Sequence, residues 1–189
     1  MSRAVRAARA ARAVRAAGAP RVAALVLLAI SAFGCGTSGP TFPPAGSTPG
    51  APGDATAATK QLIIGALGAV GLQAVDATRP YRPPEGPLMT GAPRSVLQAT
   101  LPDDPDHGDI VIYALGSAVT AESAAFDQAR YIASGPGGIL LAPGSHFVLR
   151  IVDSTVIFFT WSPGSSPDSR THLIEDALNT LGVVVPIGS

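Results

Sequence analysis

The densest group of chemistry-bearing side chains lies in the stretch Pro102-Asp103-Asp104-Pro105-Asp106-His107-Gly108-Asp109. Several carboxylates converging from a short loop are what a hard cation such as calcium takes. The spacing departs from the EF-hand template, because the glycine and the closing glutamate are misplaced. Asp, Pro and Gly are also the residues that a tight turn wants for conformational reasons. The stretch is therefore read as an acidic turn, and no metal ligand is assigned.

Nucleophilic chemistry would need a serine, a base and an orienting acid. Ser145-His146 supplies two of these types, but a triad is defined by geometry, and no G-x-S-x-G elbow surrounds Ser145. Gly144-Ser145-His146 reads instead as a turn entering a strand. His107, His146 and His172 lie far apart and share no metal-ligand spacing. Gly135-x-Gly137-Gly138 follows a helical pattern and precedes an apolar run, the reverse of the strand-to-helix order that a phosphate loop requires. No catalytic residue, cofactor-binding residue or cofactor is assigned.

Three residues stand out as candidates for binding. Tyr81 and Arg82 sit in the Pro-rich run Pro80-Tyr81-Arg82-Pro83-Pro84, and both types are enriched at binding hot spots. Trp161 ends a run with apolar residues on both faces: Ile157, Phe159 and Trp161 on one, Val156 and Phe158 on the other. Either that strand is buried on both sides, or one sheet face stays open for a ligand or partner.

The elements that must position these residues follow from periodicity. A helix is predicted over 57–70, with Leu62, Ile63, Ala66, Leu67 and Val70 at helical spacing and Gly71 as its stop. A short strand over 72–75 and a Pro-rich connection over 76–94 follow. Strands over 95–101 and 109–115 flank the acidic turn, and strands over 146–152 and 155–161 flank Asp153-Ser154. Between the pairs comes a helix over 118–133, with Phe126, Ala129, Ile132 and Ala133 as its apolar stripe, then a short strand over 139–141. A last helix over 169–181 stops at Gly182, before Val183-Val184-Val185. Its pattern Leu173-Ile174-x-x-Ala177-Leu178-x-x-x-Gly182 repeats Leu62-Ile63-x-x-Ala66-Leu67-x-x-x-Gly71. Two helices packing on a sheet and ending in glycine account for that, as would an internal duplication. The fold class expected is α+β: an antiparallel or mixed sheet built from two hairpins, with helices packed on one face.

The start of the chain has a different character. Arg3, Arg6, Arg9, Arg12, Arg15 and Arg21 precede the apolar run Val22–Phe33, and no acidic residue occurs before the only cysteine, Cys35. A spanning helix needs about 20 apolar residues, so this run is too short for a good permanent anchor. A charged start, a short apolar run and a small-residue exit are the parts of an export signal. No adjacent arginine pair supports a twin-arginine signal. An organellar transit peptide shares the arginines, but the abrupt apolar run and the cysteine favour bacterial export.

The junction Ser31-Ala32-Phe33-Gly34-Cys35 resembles the lipobox of bacterial lipoproteins, with Phe33 at a position that usually takes a small residue. The resemblance covers only this segment. It implies cleavage before Cys35 and lipidation there, palmitate-type acyl chains included. Ala32 and Gly34 equally satisfy the small-x-small rule for cleavage without a lipid. An unpaired cysteine in an oxidising compartment fits the lipidated form better.

The organisation expected is a signal peptide over 1–34, a lipidated Cys35 with a Gly/Pro/Ser/Thr tether over 35–59, and a globular domain over 60–189. The tether lacks the apolar residues to offset its ordering entropy. Removing 1–34 takes six arginines and no acids, leaving seven basic against 13 acidic residues, a net charge of −6. That balance argues against nucleic acid as a partner. The protein is thus expected to be exported, with the membrane as a partner through the lipid, and to face the extracytoplasmic side. Lipoproteins commonly serve as binding or accessory components, so a non-catalytic module for an envelope protein or small ligand is the first functional expectation. An envelope-acting or secreted hydrolase is the alternative.

Overall fold

A computed structural model describes residues 52–188. Helix α1 (Pro52–Ala69) opens with proline, whose missing N–H costs nothing in a first turn, and Asp54 there faces the positive end of the helix dipole. It closes at Gly71, φ +79°, where Leu72 N–H reaches Leu67 O at 2.9 Å and Gly71 N–H reaches Gly68 O at 3.1 Å, the Schellman arrangement. The helix thus begins five residues before the predicted start at 57, and residues 52–56, assigned to the tether by composition, are helical. Thr59 explains part of this. Thr155 gives its one hydroxyl proton to Val152 O (2.8 Å), so buried Thr59 donates to Thr155 Oγ1 at 2.9 Å. A long-range bond that composition cannot register ties the first half of α1 to the sheet.

Six strands follow in the sheet order β1-β2-β3-β5-β4-β6: β1 (Ala74–Asp76), β2 (Arg94–Ala99), β3 (Asp109–Ala114), β4 (His146–Val152), β5 (Thr155–Trp161) and β6 (Val183–Val184). Every neighbouring pair is antiparallel. The β4–β5 connection is two residues long, and Asp153 takes φ +50° there, a conformation that aspartate tolerates. The protein is α+β, with its helices packed against the sheet.

Helices cover both faces of the sheet, where one face was expected. On one side Ile63 and Leu67 of α1 and Ile174, Ala177 and Leu178 of α4 (Thr171–Asn179) pack on Ile110, Ile112, Ile157 and Phe159. On the other, α3 (Ala118–Ala133) and the short α2 (Pro87–Thr90) pack on Val111, Tyr113, Val156 and Phe158. Central strands with apolar residues at both alternating positions must be covered twice, and β5 is buried on both sides. Ser117 starts α3 by accepting from Thr120 N–H at 3.1 Å. The buried stripe of α3 is mostly alanine (Ala121, Ala124, Ala125, Ala129) with Ile132, whereas Phe126 and Ala133 face outward. Alanines let the helix lie close to large sheet residues. The strand expected over 139–141 is instead a 3₁₀ turn over Gly138–Leu140.

The repeated helix pattern places α1 and α4 side by side on one face, each followed by an edge strand: β1 beside β2, β6 beside β4. The helices that follow the two central strand pairs, α3 and α4, lie on opposite faces, so those two units are not copies of one arrangement.

Candidate functional site

The Pro-rich connection is a pinned structure. Glu85, whose side chain is 2% exposed, accepts from Arg82 Nε (2.7 Å), Arg94 Nη1 (2.8 Å) and the Tyr113 hydroxyl (2.9 Å). Burial and the Glu85 bond together push the Tyr113 hydroxyl well above its ordinary pKa. Gln128 of α3 clamps the same loop, accepting from Gly86 N–H (2.7 Å) and donating to Pro84 O (2.8 Å). One carboxylate thus serves two guanidinium groups, which leaves an excess positive charge at this point.

That excess faces a cleft of about 510 Å³ between α1, the β1–β2 edge and the loop, lined by Lys60, Arg79, Arg82 and Arg94 with Thr78 and Ser95. Four of the seven cations in residues 52–188 therefore line one recess, and Asp76 is the only acid in its wall. Lys60 pairs with Asp76 at 2.5 Å and Arg79 with Asp106 at 2.7 Å, but both carboxylates are more than 70% exposed. Exposed pairs of this kind hold weakly and exchange readily. Beside the cleft is a second recess of about 240 Å³, lined by Gly53, Thr56, Ala57, Pro93 and Ala114, with Lys60, Arg94 and Ser95 in its wall as well.

Tyr81 stands between this cleft and a smaller cavity of about 160 Å³ that also takes in His107, Asp109, Trp161 and Ser162. Burial, then the charge of Asp109, push the Tyr81 hydroxyl up to about 12. Burial raises Asp109 in turn, against the pull of Arg79 and His107. Tyr81 and Trp161 are thus brought to one cavity, whereas Arg82 belongs to the cationic cleft and is held by Glu85.

The acidic turn is organised as a turn. His107 Nδ1 pairs with Asp104, Asp106 pairs with Arg79, and Asp103 N–H donates to Asp168 at 3.2 Å. Among the described residues no group of three or more His, Cys, Asp or Glu is placed to hold a metal ion. Asp168, wholly buried, also accepts from Arg170 Nη2 (2.6 Å), Nε (2.9 Å) and backbone N–H (2.9 Å). Those bonds, the Arg170 side chain foremost, hold its carboxyl well below the ordinary range.

At the end of β5, Trp161 Nε1–H donates to Glu175 Oε2 at 2.8 Å, and His146 Nδ1 lies 3.1 Å from the same oxygen. The two rings sit 4.6 Å apart at 34°. Glu175 thereby fixes Trp161 and His146 together. Ser145 Oγ donates to Ala142 O at 2.6 Å, and His172 Nδ1 lies 2.6 Å from Ser169 O. Ser145, His146 and Glu175 do not form a nucleophile–base pair. Cys35, the expected signal segment and most of the expected tether lie outside the described residues.

Sequence reasoning missed Lys60, Arg79 and Arg94 as site residues. A signal was present: four of the seven basic residues after Cys35 fall between positions 60 and 94. Compared with protein-family models, curated proteins and solved structures, the chain matches none.

Proposed function

We propose that this chain is a membrane-tethered, non-catalytic binding module whose cleft at Lys60, Arg79, Arg82 and Arg94 takes a small anionic ligand. The observation that carries the reading is the convergence of these four cations on one recess in a part of the chain whose net charge is −6 after residue 34. Guanidinium and ammonium groups side by side suit phosphate or carboxylate oxygens. Hydroxyls of Thr78 and Ser95 add neutral donors to the same wall. A hydrolase is the weaker reading, since Ser145 and His146 are engaged elsewhere.

The location rests on the sequence: the basic, apolar and lipobox-like segments before Cys35 support export, acylation and an extracytoplasmic position. Intact mass of the protein from its native membranes, beside a Cys35→Ala variant, tests it. A chain starting at Cys35 with acyl mass is expected; plain polypeptide mass unaffected by the substitution would overturn the anchor. For the cleft, titration calorimetry with inorganic phosphate is expected to show saturable binding that a Lys60→Ala/Arg79→Ala double variant weakens at least tenfold. Binding of equal strength in the double variant would place the anion elsewhere.

A further inference from the structure

We propose, on the basis of the anion-binding reading above, that the ligand is an anionic amphiphile, with its phosphate or carboxylate head in the cationic cleft and an apolar tail in the adjoining recess. The two voids share Lys60, Arg94 and Ser95 in their walls, so they lie side by side, and one molecule lying across the Lys60 and Arg94 side chains would reach into both. Their chemistry differs sharply. Besides the shared residues the recess is walled by Gly53, Ala57, Pro93 and Ala114 with Thr56, and most of its surface is apolar. Lys60 and Arg94 suit the boundary, because long cationic side chains present an apolar stem to one side and a charged head to the other.

Charge complementarity names the head group. Lys60 and Arg79 hold only exposed carboxylates, Asp76 and Asp106, which can turn to water when a ligand anion replaces them. Arg94 gives Nη1 to Glu85, and a guanidinium has five N–H donors, so further donors can serve a ligand. Glu85 stays buried against Arg82 and Arg94 as the anion enters, and its single charge leaves the two arginines net positive toward the ligand. An inorganic anion would leave the apolar recess hydrated, and an uncharged apolar molecule would cover cations without compensating them. Only a molecule carrying both parts satisfies both walls.

The test is titration calorimetry on the full-length chain with inorganic phosphate, hexyl phosphate and hexanol. Each methylene removed from water strengthens binding about fourfold. With part of the tail covered, hexyl phosphate is expected to bind at least tenfold more tightly than phosphate, and hexanol to show no saturable binding. Ala57→Trp, an exposed position on α1, fills the recess and is expected to bring the ratio of the two phosphates to near one. Hexyl phosphate no tighter than phosphate would overturn the amphiphile while leaving the anion site standing. A tenfold ratio that survives Ala57→Trp would overturn the placement of the tail. Hexanol binding as tightly as hexyl phosphate would remove the anionic head from the inference, and no binding of either phosphate would overturn this inference and the anion site together.

Discussion

Replacing Gly182 by alanine is expected to cost two to three times what the same change costs at Gly71, although the two glycines follow helices of matching pattern. Both adopt a left-handed conformation, φ +47° and +79°. For an ordinary L-residue that conformation costs about 1–2 kcal/mol. At Gly71 nothing lies within 4 Å of an added Cβ, so this is the whole effect. At Gly182 the Cβ would fall 2.0 Å from the Ile151 carbonyl oxygen and 2.8 Å from Val152 Cγ2. A carbon–oxygen contact needs about 3.3 Å, so the backbones must part by roughly 1 Å. Parting them strains the β4–β6 ladder at Ile151↔Val183 and the Arg150 bonds to the Leu181 and Gly182 carbonyls. Overpacking adds about 1–3 kcal/mol, giving a total of about 2–5 kcal/mol. With a urea slope of about 1.5 kcal/mol per M, the midpoints by far-UV circular dichroism should fall by about 1 M for Gly71→Ala and by about 2.3 M for Gly182→Ala. Equal shifts in the two variants would refute the argument from close approach.

Arg150 is buried with no carboxylate partner among the described residues, and its guanidinium donates to Leu181 O (2.6 Å) and Gly182 O (3.1 Å) after α4. Arg150→Met is expected to lower stability by about 1–2 kcal/mol in thermal unfolding, since burial, which also lowers the arginine's pKa, offsets part of the two charge-assisted bonds. An unchanged midpoint would show that those carbonyls need no cap. Asp168 is held below its ordinary pKa, chiefly by Arg170, so its stabilising contribution is complete above the unfolded aspartate value of about 3.9 and is lost as pH falls through the lower folded value. Asp168→Asn should therefore flatten the acid limb of a stability–pH curve below about pH 4, and a curve parallel to the parent's would sink that assignment. Glu85→Gln removes the one anion shared by Arg82 and Arg94. A loss of about 2 kcal/mol is expected, less than for a fully buried pair because both arginines reach water, together with tighter phosphate binding in the cleft. Weaker or unchanged phosphate binding would refute the electrostatic account.

The strands β4 and β5 are legible in the chain at their observed bounds, because β-branched and aromatic residues alternate on both sides of a two-residue Asp-Ser turn. The apolar stripe of α3 was legible only in part: Ala129 and Ile132 are buried as expected, but Phe126 and Ala133 are exposed and Ala121, Ala124 and Ala125 take the inward face, because alanine carries little weight beside Phe126 in a pattern of hydrophobicity. Packing distance, not hydrophobicity, puts the alanines inward. The coverage of both sheet faces was implicit in the two-sided β5 but required a choice that periodicity leaves open. Tyr81 was singled out by residue type and Trp161 by the two-sided apolar strand that it ends, and the two line one cavity. Arg82, found the same way, is a member of a larger set whose other members carry no local motif.

By itself the sequence determined the α+β class, the helix that stops at Gly71 and a last helix before Gly182, which ends at Asn179 and not at 181, the central strands, and the sharp change of character around Cys35. These follow from local periodicity, turn chemistry and composition, which act over a few residues. Tertiary structure alone decided that α1 and α4 share one face and α3 the other, that Glu85 draws Arg82 and Arg94 together, and that Lys60 and Arg79 complete a cationic cleft beside an apolar recess. A cleft of this kind is built from charges contributed by a helix, a loop and a strand. Their separation along the chain is set by the connections, and their meeting in space by the sheet that those connections return to.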